Sequence, residues 1–127
     1  MESTIEGENS MKIVNRKEFL ALPAGVIYAK FEPCIFGDLA IKGETIGEND
    51  WAYQEFLEVK AGDSGEYADI LFDAFENGTR FDLDLECMGR DGLYDQEEHF
   101  AVFEQQDVVL LIERLQKVVI NYPTINQ

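Results

Sequence analysis

Residues 26–59 read VIYAKFEPCIFGDLAIKGETIGENDWAYQEFLEV, and apolar and polar side chains alternate along most of this stretch. A period of two is typical of β-strands, because successive side chains point to opposite faces of a sheet. Pro33 and Gly43 divide the stretch, and a polar loop over 47–50 divides it again. The pattern predicts three consecutive strands, over residues 26–32, 35–42 and 51–59.

Capping residues predict one helix before these strands and one after them. Asn15 is placed to cap a short helix over residues 16–20. Asp63 and Glu66 have the spacing of a capping box, and Asn77-Gly78 is a typical helix end. The apolar residues of this second helix recur at helical spacing: Tyr67, Ile70, Leu71 and Ala74.

The last third of the chain predicts two more strands and a third helix. Strict alternation over residues 80–87 and a second run over 99–104 predict a hairpin, with Asp91-Gly92 in its turn region. Asp107 is then expected to cap an apolar helix over 108–120. Because polar side chains occupy only a narrow face of this helix, we expect it to lie in the core against the sheet.

These elements together predict an α+β fold. The expected architecture is a single domain over residues 11–127, with a largely antiparallel sheet of about five strands, two main helices and a short N-terminal helix. Residues 1–10 are polar and are expected to form a flexible tail. A chain of 127 residues with 46% apolar content is large enough and hydrophobic enough for one folded domain.

Cysteine usage and hydropathy favour a cytoplasmic protein. No apolar run approaches the roughly 20 residues that a membrane span needs, and the N-terminus lacks the apolar region of a signal peptide. Cys34 and Cys87 have no CxxC spacing and lie in apolar surroundings. We expect both to be buried free thiols.

The charge of the chain is concentrated in one segment. Residues 44–104 contain 18 Asp and Glu against three Lys and Arg, a net charge of −15 out of −16 for the whole chain. Such a field repels nucleic acid and anionic lipid, so direct binding to DNA, RNA or membranes is disfavoured. A basic protein surface, for example on a nucleic-acid-binding protein, is the expected partner.

Two rows of carboxylates within this segment are the candidate binding residues. The second helix places four of them at steps of three, four and three, and the strand over 80–87 would place three on one face. The residues are Glu66, Asp69, Asp73, Glu76, Asp82, Asp84 and Glu86. Spread over a face of about 30 Å, the 15 net charges of the whole segment would approach the charge density of duplex DNA, which leads to a hypothesis of nucleic-acid mimicry. The alternative is that these are only the solvated faces of amphipathic elements.

Metal binding and catalysis have weaker support in the sequence. The loop over residues 89–98 contains four acids but lacks the order of an EF-hand loop, so no metal and no cofactor are expected. His99 and Cys87 could form a nucleophilic pair across the predicted hairpin, but no third residue to orient them is evident. We therefore expect a non-enzymatic protein.

Aromatic residues divide into a core set and a possible anchor. Trp51 and Tyr53 lie beside acidic residues and are candidates for an exposed aromatic anchor, because binding hot spots favour Trp and Tyr. Most phenylalanines fit the inward phase of their predicted elements: Phe31, Phe36, Phe56, Phe72, Phe75, Phe81, Phe100 and Phe103.

Residues 11–23, MKIVNRKEFLALP, followed by VIYAKFEP over 26–33, resemble the opening of small accessory proteins encoded by phages and prophages. The run FAVFE over 100–104 is similar to them as well. The resemblance implies a context in which small proteins bind and block host machinery, and it assigns no functional residue.

The sequence thus favours an acidic binding protein of the inhibitor or nucleic-acid-mimic type. An immunity-type or antitoxin-type inhibitor of a basic nuclease would use the same acids. A structural homodimer is the other alternative, with Leu110 as a candidate contact, so the chain is expected to be a monomer or a homodimer.

Overall fold

The computed structural model describes residues 10–86, 88–92 and 95–125. Within these residues the chain forms one antiparallel sheet of six strands and three helices, which confirms the α+β class. The elements in chain order are β1 (Lys12–Asn15), α1 (Arg16–Leu20), β2 (Ile27–Glu32), β3 (Ile35–Ile46), β4 (Asp50–Glu55), α2 (Ser64–Asn77), β5 (Gly89–Arg90), β6 (His99–Val102) and α3 (Gln105–Ile120). The predicted tail lies almost entirely outside the described residues.

The three strands predicted from residues 26–59 form as an antiparallel meander of β2, β3 and β4. β3 is longer than predicted, because an irregularity in its pairing with β4 between Lys42 and Thr45 carries the strand past Gly43. A side chain at Gly43 would lie 3.1 Å from Ala52, so glycine lets the two strands approach closely here. β4 is shorter than predicted and ends at Glu55.

The predicted hairpin between residues 80–87 and 99–104 is wrong. The strands lie in the order β1-β6-β2-β3-β4-β5, so β6 is in the interior of the sheet between β1 and β2. The short β5 pairs with β4 at the opposite edge. The connection from β5 to β6 therefore has to cross β4, β3 and β2.

The predicted strand over residues 80–87 is also not formed in its described part. Leu83 makes one isolated bridge with Val59, where Lys60 N donates to Asp82 O at 3.0 Å and Asp84 N donates to Glu58 O at 2.8 Å. An alternating sequence forms a strand only where a neighbouring strand can pair with it along its length. That condition is not met here, and the apolar residues of the run, Phe81, Leu83 and Leu85, are exposed.

An aromatic cluster forms the core on one face of the sheet. Phe19 from α1 stacks on Phe100 of β6 with ring centroids 4.0 Å apart, and it meets Trp51 of β4 edge-on at 5.0 Å. Tyr28 of β2 meets Phe19 edge-on at 4.7 Å. The short helix α1 thus contributes the residue that joins three strands, although it has only five residues.

The two longer helices contain no buried residue among those described, which contradicts the prediction that α3 lies in the core. The aromatic cluster already occupies the face of the sheet that carries Trp51, and the helices cover little of the rest. The phenylalanine prediction is correct for Phe100 and partly for Phe31, Phe56 and Phe103, which are half-buried. It is wrong for four residues, all exposed: Phe36, Phe72, Phe75 and Phe81.

The helix ends agree closely with the capping predictions for α1 and α2. The Asn15 side chain accepts from Glu18 N, and Asp63 Oδ1 accepts from Glu66 N at 2.8 Å. Gly78 ends α2 in the left-handed conformation, with φ of 71°. The N-cap of α3 is Glu104 and not Asp107, whose carboxylate accepts from Glu104 N at 2.9 Å. Within the described residues, no helix combines the length and hydrophobicity that crossing a bilayer requires.

Replacement of Phe19 tests the assignment of the core. Phe19→Ala removes a fully buried ring and should lower the free energy of unfolding by about 3–5 kcal/mol in urea denaturation. Phe75→Ala is the matched control, because Phe75 is 87% exposed, and it should change stability by less than about 1 kcal/mol. Equal losses in the two variants would contradict this core assignment.

Candidate protein-binding surface

The four predicted carboxylates of α2 lie in one exposed row along the helix, over about 15 Å. α2 contains no Lys or Arg to balance Glu66, Asp69, Asp73 and Glu76. Hydrogen bonds from Asn77 and Thr79 hold the pKa of Asp73 below its ordinary value, so this carboxylate stays ionised. Asp73 is therefore a fixed negative charge within the row.

Exposed aromatic side chains border this acidic row. Tyr67, Phe72 and Phe75 are exposed, and together with Ala68 and Leu71 they line a shallow apolar groove of about 360 Å³. Phe72 follows Asp69 by three residues and precedes Glu76 by four, so one turn of the helix places a carboxylate on either side of it. We call Tyr67, Phe72, Phe75 and the four carboxylates the α2 surface.

The three carboxylates after α2 do not form the second row that was predicted, because residues 80–86 make only the isolated bridge at Leu83 and form no strand. Asp82 and Glu86 are exposed, and Asp84 is half-buried with its Oδ1 accepting from Glu86 N at 2.9 Å. Their backbone forms the bridge that closes the loop containing α2. These acids therefore adjoin the base of the loop, while the α2 surface lies on its helix.

Ion pairing separates the seven candidate acids from other acids of the same segment. In the described part of the chain, none of the seven pairs with a Lys or Arg. Asp50 pairs with Arg90, Asp91 pairs with Lys30, and Glu98 pairs with both Lys30 and Arg16. The −15 segment thus contains internally neutralised acids and acids that face solvent unpaired.

The paired acids surround Trp51, which the sequence had suggested as an exposed anchor. This prediction is wrong for Trp51, which is fully buried, and Tyr53 is half-buried. Trp51 Nε1 donates to Tyr28 Oη at 3.0 Å, and the Arg16 guanidinium lies 5.0 Å from the centre of the indole ring. The cationic group satisfies the π-face of the indole inside the fold, and a partner would not reach it.

Arg16 and Lys30 connect Trp51 to the segment that crosses the sheet. Arg16 Nη1 donates to Glu98 Oε1 at 2.5 Å and to Asp95 O at 3.3 Å, while its Nη2 donates to Asn49 O. Lys30 Nζ lies 2.7 Å from Glu98 Oε2 and 2.9 Å from Asp91 Oδ1. Burial would lower the pKa of Lys30, but hydrogen bonds to Glu98 and Asp91 hold it above its ordinary value.

Asp50 holds the other end of this segment. Its Oδ1 accepts from Trp51 N and Gly92 N, each at 2.8 Å, and its Oδ2 accepts from Arg90 Nε. Burial would raise the pKa of Asp50, but these three hydrogen bonds lower it below its ordinary value. Asp50 therefore fixes β5 and the start of the crossing segment beside β4.

A small polar pocket of about 180 Å³ lies beside the ion pair of Lys30 and Asp91. Its lining includes Asp38, Tyr53 and Glu55. Burial raises the pKa of Glu55, and the charges of Glu58 and Asp38 raise it further. Lys30 is already engaged by Asp91 and Glu98, so it is not available to a substrate in this arrangement. No group of three or more His, Cys, Asp or Glu among the described residues is arranged to hold a metal ion.

The residues considered for catalysis are not assembled into a site that the structure describes. His99 is exposed, and its Nδ1 lies 3.0 Å from the backbone oxygen of Glu97. Cys87, its proposed partner, lies outside the described residues. Cys34 is an exposed free thiol in a turn with φ of 70°, so the prediction of a buried thiol is wrong for it.

None of the family models, curated proteins or solved structures with which the chain was compared gives a significant match.

Arg16, Lys30, Asp91 and Glu98 form an ionic cluster that the predictions missed, although the sequence contains a signal for it. Arg16, Lys30 and Lys42 each have the same phase as residues of their own element that point toward the core. Lys42 is also buried, with Nζ donating to Thr45 Oγ1 at 2.9 Å, and burial lowers its pKa. A long cationic side chain in phase with core residues can indicate a buried ion pair, and here two of the three have carboxylate partners.

Glu98→Gln tests whether the ionic cluster supports the fold. The change removes the carboxylate charge that Arg16 and Lys30 share, and it leaves the buried Arg16 guanidinium without an anionic partner. The free energy of unfolding, measured by urea denaturation, should fall by about 3 kcal/mol. Glu97→Gln is the control, because Glu97 is exposed and adjacent in sequence. The cluster has no structural role if both variants are as stable as the wild type.

The dependence of the free energy of unfolding on pH, measured from neutral to acidic pH, tests the role of Asp50. Its folded-state pKa is depressed, so its contribution is present above the ordinary pKa of 3.8 and is lost as pH falls through the folded-state value. Asp50→Asn should lower stability by about 2 kcal/mol at neutral pH, and the difference from wild type should shrink below pH 3.8. Asp69→Asn, an exposed change of the same kind, should show little difference at neutral pH. A difference for Asp50→Asn that stays constant down to the lowest pH would contradict the assignment.

Proposed function

We propose that this protein is a non-enzymatic binding protein that engages a basic protein surface through the α2 surface, with Asp82, Asp84 and Glu86 beside it. The observation that carries the proposal is a helix with a row of unpaired carboxylates beside exposed aromatic rings. Solvation accounts for exposed acids, but it gives no reason for exposed phenylalanines in the same helix.

The acids and the rings complement a basic side chain in different ways. An incoming Lys or Arg can lay its aliphatic stem on Phe72 while its charge approaches Asp69 and Glu76. Attraction to the acidic row raises the association rate, and burial of the rings slows dissociation. A partner with basic residues interspersed among apolar ones fits this surface best.

The internal ion pairs favour α2 over the rest of the acidic segment. Asp50, Asp91 and Glu98 already have cationic partners within the fold, so a second cation gains less from them. The carboxylates of α2 have no such partners among the described residues. The strongest uncompensated field is therefore expected around α2.

The inhibitor and mimic aspects of the proposal have two supports. Resemblance to phage accessory proteins supports a role in blocking host machinery, and a nucleic-acid-binding protein would present a suitable basic groove. Mimicry now depends on α2, because the second regular row of carboxylates is not formed. An immunity-type inhibitor of a basic nuclease would use the same surface, and identification of the captured partner distinguishes the two.

Charge reversal on α2 tests the proposal. The variant Asp69→Lys/Asp73→Lys should lose capture of basic proteins from a lysate, whereas Glu32→Lys/Glu48→Lys, an equal charge change at exposed sites elsewhere, should retain it. Capture by the wild type should weaken steeply as salt rises, because exposed charges are screened within about 10 Å at 0.1 M salt.

A direct measurement completes the test. A synthetic amphipathic helical peptide, with lysines on one face and leucines on the other, should bind the wild type in calorimetry. Part of this binding should remain at moderate salt, because contacts with Phe72 and Phe75 do not depend on charge. The proposal fails if the α2 reversal and the control reversal bind proteins and peptide equally well.

A further inference from the structure

An apolar stripe runs along α3, and no other part of the described chain buries it. Val108, Leu111, Leu115 and Val118 have the spacing of the core positions a and d of a helical heptad, and Ile112 and Val119 widen the stripe at the neighbouring e position. Val108 and Leu111 in the first turns are half-buried, while Ile112, Leu115, Val118 and Val119 have exposed fractions between 38% and 69%. The stripe therefore starts against the body of the protein and continues into solvent.

The exposed part of the stripe is of a size that is often functional on a protein surface. Ile112, Leu115, Val118 and Val119 present on the order of 400 Å² at roughly 100 Å² each, within the ~300–600 Å² of the largest patch on a typical monomer. Two such stripes facing one another would bury on the order of 800 Å² in total, which is the range of weak, transient interfaces.

The charge distribution indicates what covers this face. Residues 105–127 carry two acids and two bases and are neutral, whereas the whole chain carries −16. A basic partner would be drawn to α2 and away from α3. Two copies of this acidic chain repel one another, and the neutral α3 is where they can meet with the least repulsion.

Within the described residues, no other element buries a residue of α3. A second copy supplies a stripe of the same length and spacing, and helices with apolar residues at heptad positions pack through such stripes.

We propose that α3 is a self-association surface, through which two copies pair stripe to stripe about a two-fold axis. The contact is isologous, so Leu115 near the middle of the exposed part lies close to the axis or to its counterpart. Leu110, considered from the sequence as a dimer contact, lines a separate apolar groove of about 450 Å³ between α3 and the sheet. The dimer leaves the α2 surface free and does not rest on the function proposed for it.

Light scattering after size-exclusion chromatography tests the proposal on the full chain. The wild type should elute at twice the single-chain mass of 14.5 kDa, and Leu115→Lys should elute at the single-chain mass. Gln116→Lys adds the same charge to the polar flank of the same helix and should remain a dimer. Circular dichroism should show equal helix content in the three proteins, because Leu115 is exposed within one chain.

Val119→Lys in the last turn provides a second variant at a more exposed position and should also dissociate the dimer. Added salt should strengthen the dimer by screening the repulsion between two chains of −16, which is opposite to its effect on a complex with a basic partner. The proposal is overturned if the wild type has the single-chain mass at all concentrations and salt levels. It is also overturned if both Leu115→Lys and Val119→Lys remain dimers.

Discussion

Two cations held between a buried indole and a set of carboxylates are the interaction on which the rest of this structure depends. Arg16 and Lys30 contact Trp51, and both reach Glu98 in the segment that crosses the sheet. That segment has to pass over three strands before β6 can enter the interior of the sheet. The ion pairs attach it to the aromatic core, so strand order and core packing are one arrangement.

This arrangement divides the acidity of the chain into two kinds. Asp50, Asp91 and Glu98 hold β5 and the crossing segment in place, and their charges are compensated inside the fold. The carboxylates of α2 contribute little to packing, because α2 has no buried residue. Composition alone treats the two kinds as one field of −15, whereas their environments assign them different roles.

The sequence was most informative where a local signal determines a local structure. The meander over residues 26–59 and the caps of α1 and α2 follow from alternation, proline, glycine and capping side chains, all within a few residues. Predictions that depended on distant partners failed. Residues 80–86 alternate without a neighbouring strand along their length, and α3 is apolar although none of its residues is buried. Trp51 was misassigned because its cationic partners come from other elements.

The same failures identify the surfaces on which the two proposals rest. The helical spacing of apolar residues in α2 and α3 predicts core helices, and the structure buries none of these residues fully. In α2 they lie beside unpaired acids, which suits a basic partner. In α3 they lie on a neutral helix, which suits a second copy of the same chain.

The central claim is that the sheet with α1 forms the stable body, while α2 and α3 are surfaces that partners cover. Hydrogen exchange across the chain, measured at several protein concentrations, tests it most directly. Amides of β2 and β6 should be strongly protected at all concentrations, those of α2 weakly protected throughout, and those of α3 increasingly protected as concentration rises. Protection of α2 equal to that of β2 in the dilute protein would contradict the account, because it would place α2 in the cooperative core.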